Sequence, residues 1–318
     1  MVIRVSLFGR FEARCDRRPV PGLRARKVQE LLSYVLLSKQ RQIQRERLAD
    51  RLWQHVDSRY AKKYLRQALW QLQRAYDAAS RPGDGPLLVV DQDWVGIHAD
   101  TPVWVDACEL ERAYECAIEA PAGGLAPLLR EQMRTAVGLY RGELLEGWYE
   151  DWCVDQREAY RSMYLSLLHH LMLDAEATGN WEAGLVYGRR ALQEDRASER
   201  THALMMRLNH MAGDRTAALR QFELCETALR EDLRVVPQDS TRRLHELIRD
   251  SDAGPAAGPV TTKAVLVPLF RLQELNRSLS VIQEEVAVHI RALDPLTLSP
   301  AGSSGRSRPA PPGGLAGS

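Results

Sequence analysis

The chain has 318 residues, 45% of them apolar and 27% charged, a balance that suits a soluble globular protein of roughly two domains. Its 43 Lys and Arg against 42 Asp and Glu leave +1 overall, yet residues 1 to 81 hold 19 of those cations and 7 of the acids, so that quarter carries +12 and the remainder −11. No apolar run approaches the roughly 18 to 20 residues of a membrane span, and the opening MVIRVSLFGRF alternates instead of forming a signal-peptide core, so no membrane partner and a cytoplasmic location are expected.

Ile3, Val5 and Leu7 alternate with Arg4, Ser6 and Phe8, the period of a strand with two unequal faces, and Gly9 ends it. Arg17, Arg18 and Pro19 predict a turn before a second short strand. From Ala25 the period becomes helical, with Val28, Leu31, Leu32, Val35 and Leu36 on one stripe. A second helix is expected from about Gln44 to Trp53 around Leu48, Ala49 and Leu52. A third starts near Ser58, whose hydroxyl can cap exposed amides, and runs to about Ala79 before Pro82 and Gly83 stop it. Leu87 to Val90, a turn at Asp91 to Asp93, and Trp94 to Ile97 predict a β-hairpin. Strands, three helices and a closing hairpin make a winged helix-turn-helix domain over residues 1–101.

In a second domain over residues 102–250, every strong segment from Val105 to about Asp250 has helical period, with breaks near Gly123, Gly142, Gly147, Gly179 and Gly213. Gly179-Asn180 and Gly213-Asp214 lie 34 residues apart, and Ala183-Gly184-Leu185 matches Ala217-Ala218-Leu219 at the same offset. That is the tetratricopeptide period, in which paired helices stack and small residues permit close packing. The fold class is therefore mainly α: a winged helix (α+β), then a tetratricopeptide-like domain, then a C-terminal helix. Residues 251–264 have the Ala, Gly, Pro and Thr content of a linker. In residues 265–293, Leu272, Leu275, Leu279, Ile282, Val286 and Leu293, with His289 at the remaining seam position, alternate by three and four, a seam that could pair with a second copy or dock on the repeats. Residues 294–318 are too poor in apolar groups to fold and are expected to be a disordered tail.

Chemistry is expected on the third helix. Leu65, Leu69, Leu72 and Tyr76 would anchor one face, while Arg59, Lys62, Lys63, Arg66, Gln67, Trp70 and Arg74 occupy the others. Such a helix fits the major groove of double-stranded DNA, where Arg or Lys can donate to guanine and Gln can bond adenine. Trp70 could stack on a sugar or fill the seam with the next domain. The acidic turn Asp91-Gln92-Asp93 lacks the cation that would enter a minor groove. Glycine-rich phosphate and dinucleotide loops and paired-histidine zinc helices are missing from the sequence, so neither an enzyme nor a cofactor is expected. His169, His170 and Asp174 make a poor metal site, because adjacent helical residues point about 100° apart, and the five cysteines are expected to be buried free thiols.

LLSYVLL at 31–37, LADRLW at 48–53 and LRQALWQLQRAY at 65–76 resemble the OmpR-type winged helix of the Streptomyces antibiotic regulatory proteins. VDACELERA at 105–113, YRGELLEGWYEDW at 140–152, ERTHALMMRLNHMAGDRTAALRQFE at 199–223 and LREDLRVVPQDST at 229–241 resemble their bacterial transcriptional activation domain. The resemblance, over about residues 1–248, implies an activator that binds direct repeats near a promoter as side-by-side protomers, a homodimer, and recruits RNA polymerase. It makes the helix from Arg59 to Arg74 the recognition helix. The chain departs from that family at Gln73, where a basic residue is frequent, and at Trp70, where a small one is. A competing reading is a tetratricopeptide-like interaction scaffold whose winged helix docks protein and not DNA.

Overall fold

Strand β1 (Ile3–Ser6) lies at the centre of the N-terminal sheet in a computed structural model that describes residues 2–16, 18–38, 42–119 and 125–251. It pairs antiparallel with β2 (Glu12–Cys15), which pairs with the short β3 (Arg18–Pro19). The expected second strand thus precedes Arg17, and Asp16, in the left-handed region at φ 45°, begins the reversal. Helices α1 (Arg26–Leu37), α2 (Arg45–Leu52) and α3 (Ser58–Asp77) follow, with the two-residue strand β4 (Ile43–Gln44) between the first two. β5 (Leu88–Val90) and β6 (Trp94–Ile97) form the predicted hairpin, and β6 also pairs with β4. These parts, in this order, are a winged helix-turn-helix head.

The chain then returns to the first sheet. β7 (Val103–Val105) runs parallel to β1, Ile3 opposite Val103 and Val5 opposite Val105. The helical reading from Val105 missed this strand, since three residues are too few to show a period.

Directly after β7 the head is joined to the helical body. At the first residue of α4 (Asp106–Ile118), the buried Asp106 carboxylate accepts the backbone N–H of Leu7 at 2.8 and 3.0 Å, of Phe8 at 3.2 Å and of Ala107 at 2.8 Å. Burial pushes its pKa above the usual carboxylate value, against the pull of those three amides. Gly9 donates to the carbonyl of Glu143, and Leu145 to that of Leu7, so the turn after α5 (Pro127–Leu139) also bonds to the end of β1. Phe8 packs on Tyr140 and Tyr160, with ring centres 4.8 and 5.9 Å away. On α1, Glu30 is 1% exposed and accepts from Trp152 Nε1 at 3.2 Å, with Lys27 Nζ 2.7 Å from its other oxygen; Tyr34 meets the Trp152 ring edge-on. One hydrophobic core therefore runs from Ile3 through Tyr164, and residues up to Ser251 form a single compact unit.

Trp152 belongs to α6 (Asp151–Thr178), whose 28 residues span about 42 Å, so one helix reaches from the head to the repeats. There α7 (Trp181–Glu194), α8 (Glu199–Met211) and α9 (Arg215–Ala228) stack in antiparallel pairs. The 34-residue repeat in sequence is a repeat of hydrogen bonds. Gly179 and Gly213 each end a helix at positive φ (76° and 85°), and the next residues, Asn180 and Asp214, donate back to the carbonyls of Ala175 and Asn209. The side chains of Asn180 and Asp214 then cap the following helix, accepting from Ala183 and Ala217. Small residues sit where expected: a Cβ on Gly188 would lie 2.6 Å from Met205 Cγ, so α7 and α8 approach as only glycine allows. After a π-helical turn at Leu229–Leu233, α10 (Asp239–Asp250) packs on α8 and α9.

Cys15, Cys153 and Cys225 are buried free thiols, but Cys108 is only partly covered and Cys116 is exposed, which corrects the expectation that all five are buried. Asp174, four or five residues beyond His170 and His169, forms a two-pronged pair with Arg130, at 2.5 and 2.8 Å. Apart from Ser251, the expected linker, the 265–293 helix and the 294–318 tail lie outside the described residues, as does the break at Gly123.

Candidate nucleic-acid interface

The cationic helix is α3. Asp57, not Ser58, is its cap: the Asp57 carboxylate accepts the Arg59 N–H at 3.0 Å, and Ser58 is the first helical residue. Leu65, Leu69, Leu72 and Tyr76 are buried, as are Ala61, Ala68 and Ala75, and this face packs on α1 and α2. All seven of Arg59, Lys62, Lys63, Arg66, Gln67, Trp70 and Arg74 are exposed. At 100° per residue they fill an arc of about 140° opposite the buried stripe, so the structure places them together on one face.

They differ in what holds them. Lys62 Nζ is 2.6 Å from Glu46 Oε1, and Arg59 is 3.7 Å from Asp57. The hydrogen bond to Lys62 holds the Glu46 carboxyl below its ordinary pKa, and the bond from Glu46 raises that of Lys62, so both are charged at neutral pH. Arg74 lies over the Trp70 ring, 5.0 Å from its centre. Lys63 and Arg66 have no ion-pair partner among the described residues. Trp70 is 58% exposed, so it does not fill the seam between head and body; that seam is built instead from Phe8, Glu30 and Trp152. Gln73, where the resembled family often has a basic residue, has a part in the fold: its side chain donates to Asp77 and accepts the Leu88 N–H, tying α3 to the hairpin.

Between α3 and the hairpin lies a cleft of about 500 Å³, lined among others by Arg45, Glu46, Lys62, Arg66, Asp93 and Trp94. The sequence reading singled out neither Arg45 nor Glu46 nor Trp94 as site residues. Arg45 donates from its guanidinium to the Asp91 carbonyl and from its backbone to the Asp93 carbonyl, putting a cation at the base of the acidic turn. Asp91 Oδ1 accepts from Asp93 and Trp94 and so closes that turn. Arg45 stands 46 positions before Asp91, and only the pairing of β4 with β6 brings them together. The arrangement offers a polyanion a straight cationic ridge beside a groove whose outer wall is acidic.

Residues 105–249 match the family model of the bacterial transcriptional activator domain. The structure is similar to Mycobacterium tuberculosis EmbR, solved in complex with a low-affinity phosphopeptide, with a TM-score of 0.62 and 18% identity over 85% of this chain and 71% of that one. No curated protein matches the chain by sequence. Among the described residues no helix is long and apolar enough to cross a membrane. A family match over the helical body thus goes with a shared fold that extends beyond it.

Proposed function

We propose that the chain is a sequence-specific DNA-binding transcriptional activator of the Streptomyces antibiotic regulatory protein type, with an OmpR-type winged helix as its head. The observation that carries this reading is the exposed cationic face of α3, held outward by a buried opposite face. Lys63 and Arg66 face solvent with no acidic partner among the described residues, which leaves them available to phosphates or guanine edges. The activator domain at 105–249 supplies the second half of such a protein, a surface for RNA polymerase. Protomers side by side on direct repeats, a homodimer on DNA, complete the reading.

The experiment is selection of bound fragments from sheared genomic DNA by the full chain, with affinity for the selected duplex measured across a salt series. A direct-repeat motif and affinity that falls steeply with salt are expected. Undetectable or salt-insensitive duplex binding overturns the reading. The acidic turn Asp91–Asp93 favours a second one, a protein-docking winged helix, and capture of a protein partner with no enriched DNA motif would establish it.

A further inference from the structure

We propose that Glu46 is a built-in competitor for the DNA backbone. Its carboxylate occupies, on Lys62, the place that a phosphate would take, and so limits how tightly the head holds duplex of any sequence. This inference rests on the DNA-binding reading above.

Three observations carry it. Lys62 and Arg66 both line the hairpin-side cleft, and the Lys62 ammonium is bound 2.6 Å from Glu46 while Arg66 and the adjoining Lys63 have no such partner among the described residues. The pair does not build the fold: its side chains are 51% and 74% exposed, and α2 is fastened to the head by the buried Leu48, Ala49 and Leu52 instead. Exposed pairs of this kind contribute little to stability and exchange readily. Finally, Asp93 lines the same cleft, so an incoming phosphate meets negative charge from both walls.

The chemistry follows from counterion release. A lysine gains affinity for duplex by replacing condensed cations on a phosphate, a gain of about 0.9 in the log–log salt slope for each contact. An ammonium already neutralised by a carboxylate must first exchange that partner, and the freed carboxylate then stands beside the phosphates it was displaced by. Lys62 thus counts for less than its charge.

The test uses the full chain with a fluorescent mixed-sequence duplex over a series of KCl concentrations, in the wild type, E46Q, K62A and the double variant E46Q/K62A. Expected are severalfold tighter binding by E46Q, a salt slope steeper by up to about 0.9, and an unchanged Tm. On the K62A background, the E46Q gain should largely vanish. No gain from E46Q, or an equal gain with and without Lys62, overturns the proposal, the second because it would reflect only overall charge. The two levels separate cleanly. Salt-dependent binding by the wild type with no response to E46Q defeats this inference alone, whereas no duplex binding by the wild type defeats it together with the DNA-binding reading.

Discussion

Two regions rich in charge follow opposite rules. At the seam between head and body, Asp106 and Glu30 are buried and closely partnered: Asp106 accepts three backbone amides, and Glu30 faces Trp152 Nε1 and the Lys27 ammonium. On the cationic face of α3 every charged side chain is exposed, and three of the cations, Lys63, Arg66 and Arg74, have no ion-pair partner among the described residues. A charge taken out of water survives only with partners already in place, so buried charges define architecture. A charge left in water costs little to hold and remains available to something else. The contrast separates residues that keep the protein in shape from those that do not.

The comparison is broken most severely by emptying the seam. Phe8→Ala removes the ring that packs on Tyr140 and Tyr160 and should cost about 3–5 kcal/mol, read as a large drop in the denaturation midpoint. Asp106→Ala leaves the amides of Leu7 and Phe8 without an acceptor inside the protein; about 2–3 kcal/mol should be lost, and an equal stability for this variant would show that water replaces the carboxylate.

Acid should act on the body. Burial lowers the pKa of His169, His170, His202 and His210, all in the helical repeats. The unfolded chain takes up protons as pH falls through about 6.5, while the folded one does not, so stability is intact above that value and declines below it. The buried His202, between Gln221 and the Arg196 carbonyl, should contribute up to about 1.4 kcal/mol per pH unit in that window. Melting at pH 7.5 and 5.5 checks this: His202→Gln should shrink the difference between the two midpoints, and an unchanged difference counts against it.

The smallest change in stability is expected on the cationic face of α3. Lys63→Ala and Arg66→Ala should move folding stability by no more than about 0.5 kcal/mol. Each should nevertheless weaken duplex binding and lower the salt slope by about 0.9, which titrations at several salt concentrations would report. Loss of stability with no change in affinity would reverse the distinction between the two regions.

Much of the fold could be read from residue patterns. The α3 stripe of Leu65, Leu69, Leu72 and Tyr76 is local periodicity, and the structure buries all four. The 34-residue repeat was visible because the same stop and start, glycine at positive φ followed by Asn or Asp as a cap, is made of neighbours in sequence. What escaped was non-local or short. β7 is only three residues long and is specified by its partner β1, almost 100 residues earlier. Trp70 has two possible roles in the sequence because an exposed tryptophan and a seam tryptophan look alike until the seam is known, and the structure exposes it. Arg45 and Glu46 gave no signal as site residues, since one owes its place to the carbonyl of Asp91 and the other to Lys62.

The order of amino acids by itself determined the helices, their caps, the repeat and which side of α3 is cationic, because each of these depends on contacts within a few residues along the chain. Only the tertiary structure decided that the head and the helical body share one core, that Asp106 joins them, and that Glu46 pairs with Lys62. Those pairings link residues from 16 to about 100 positions apart, and their energies arise only after the intervening chain has folded and excluded water, so no local pattern can announce them.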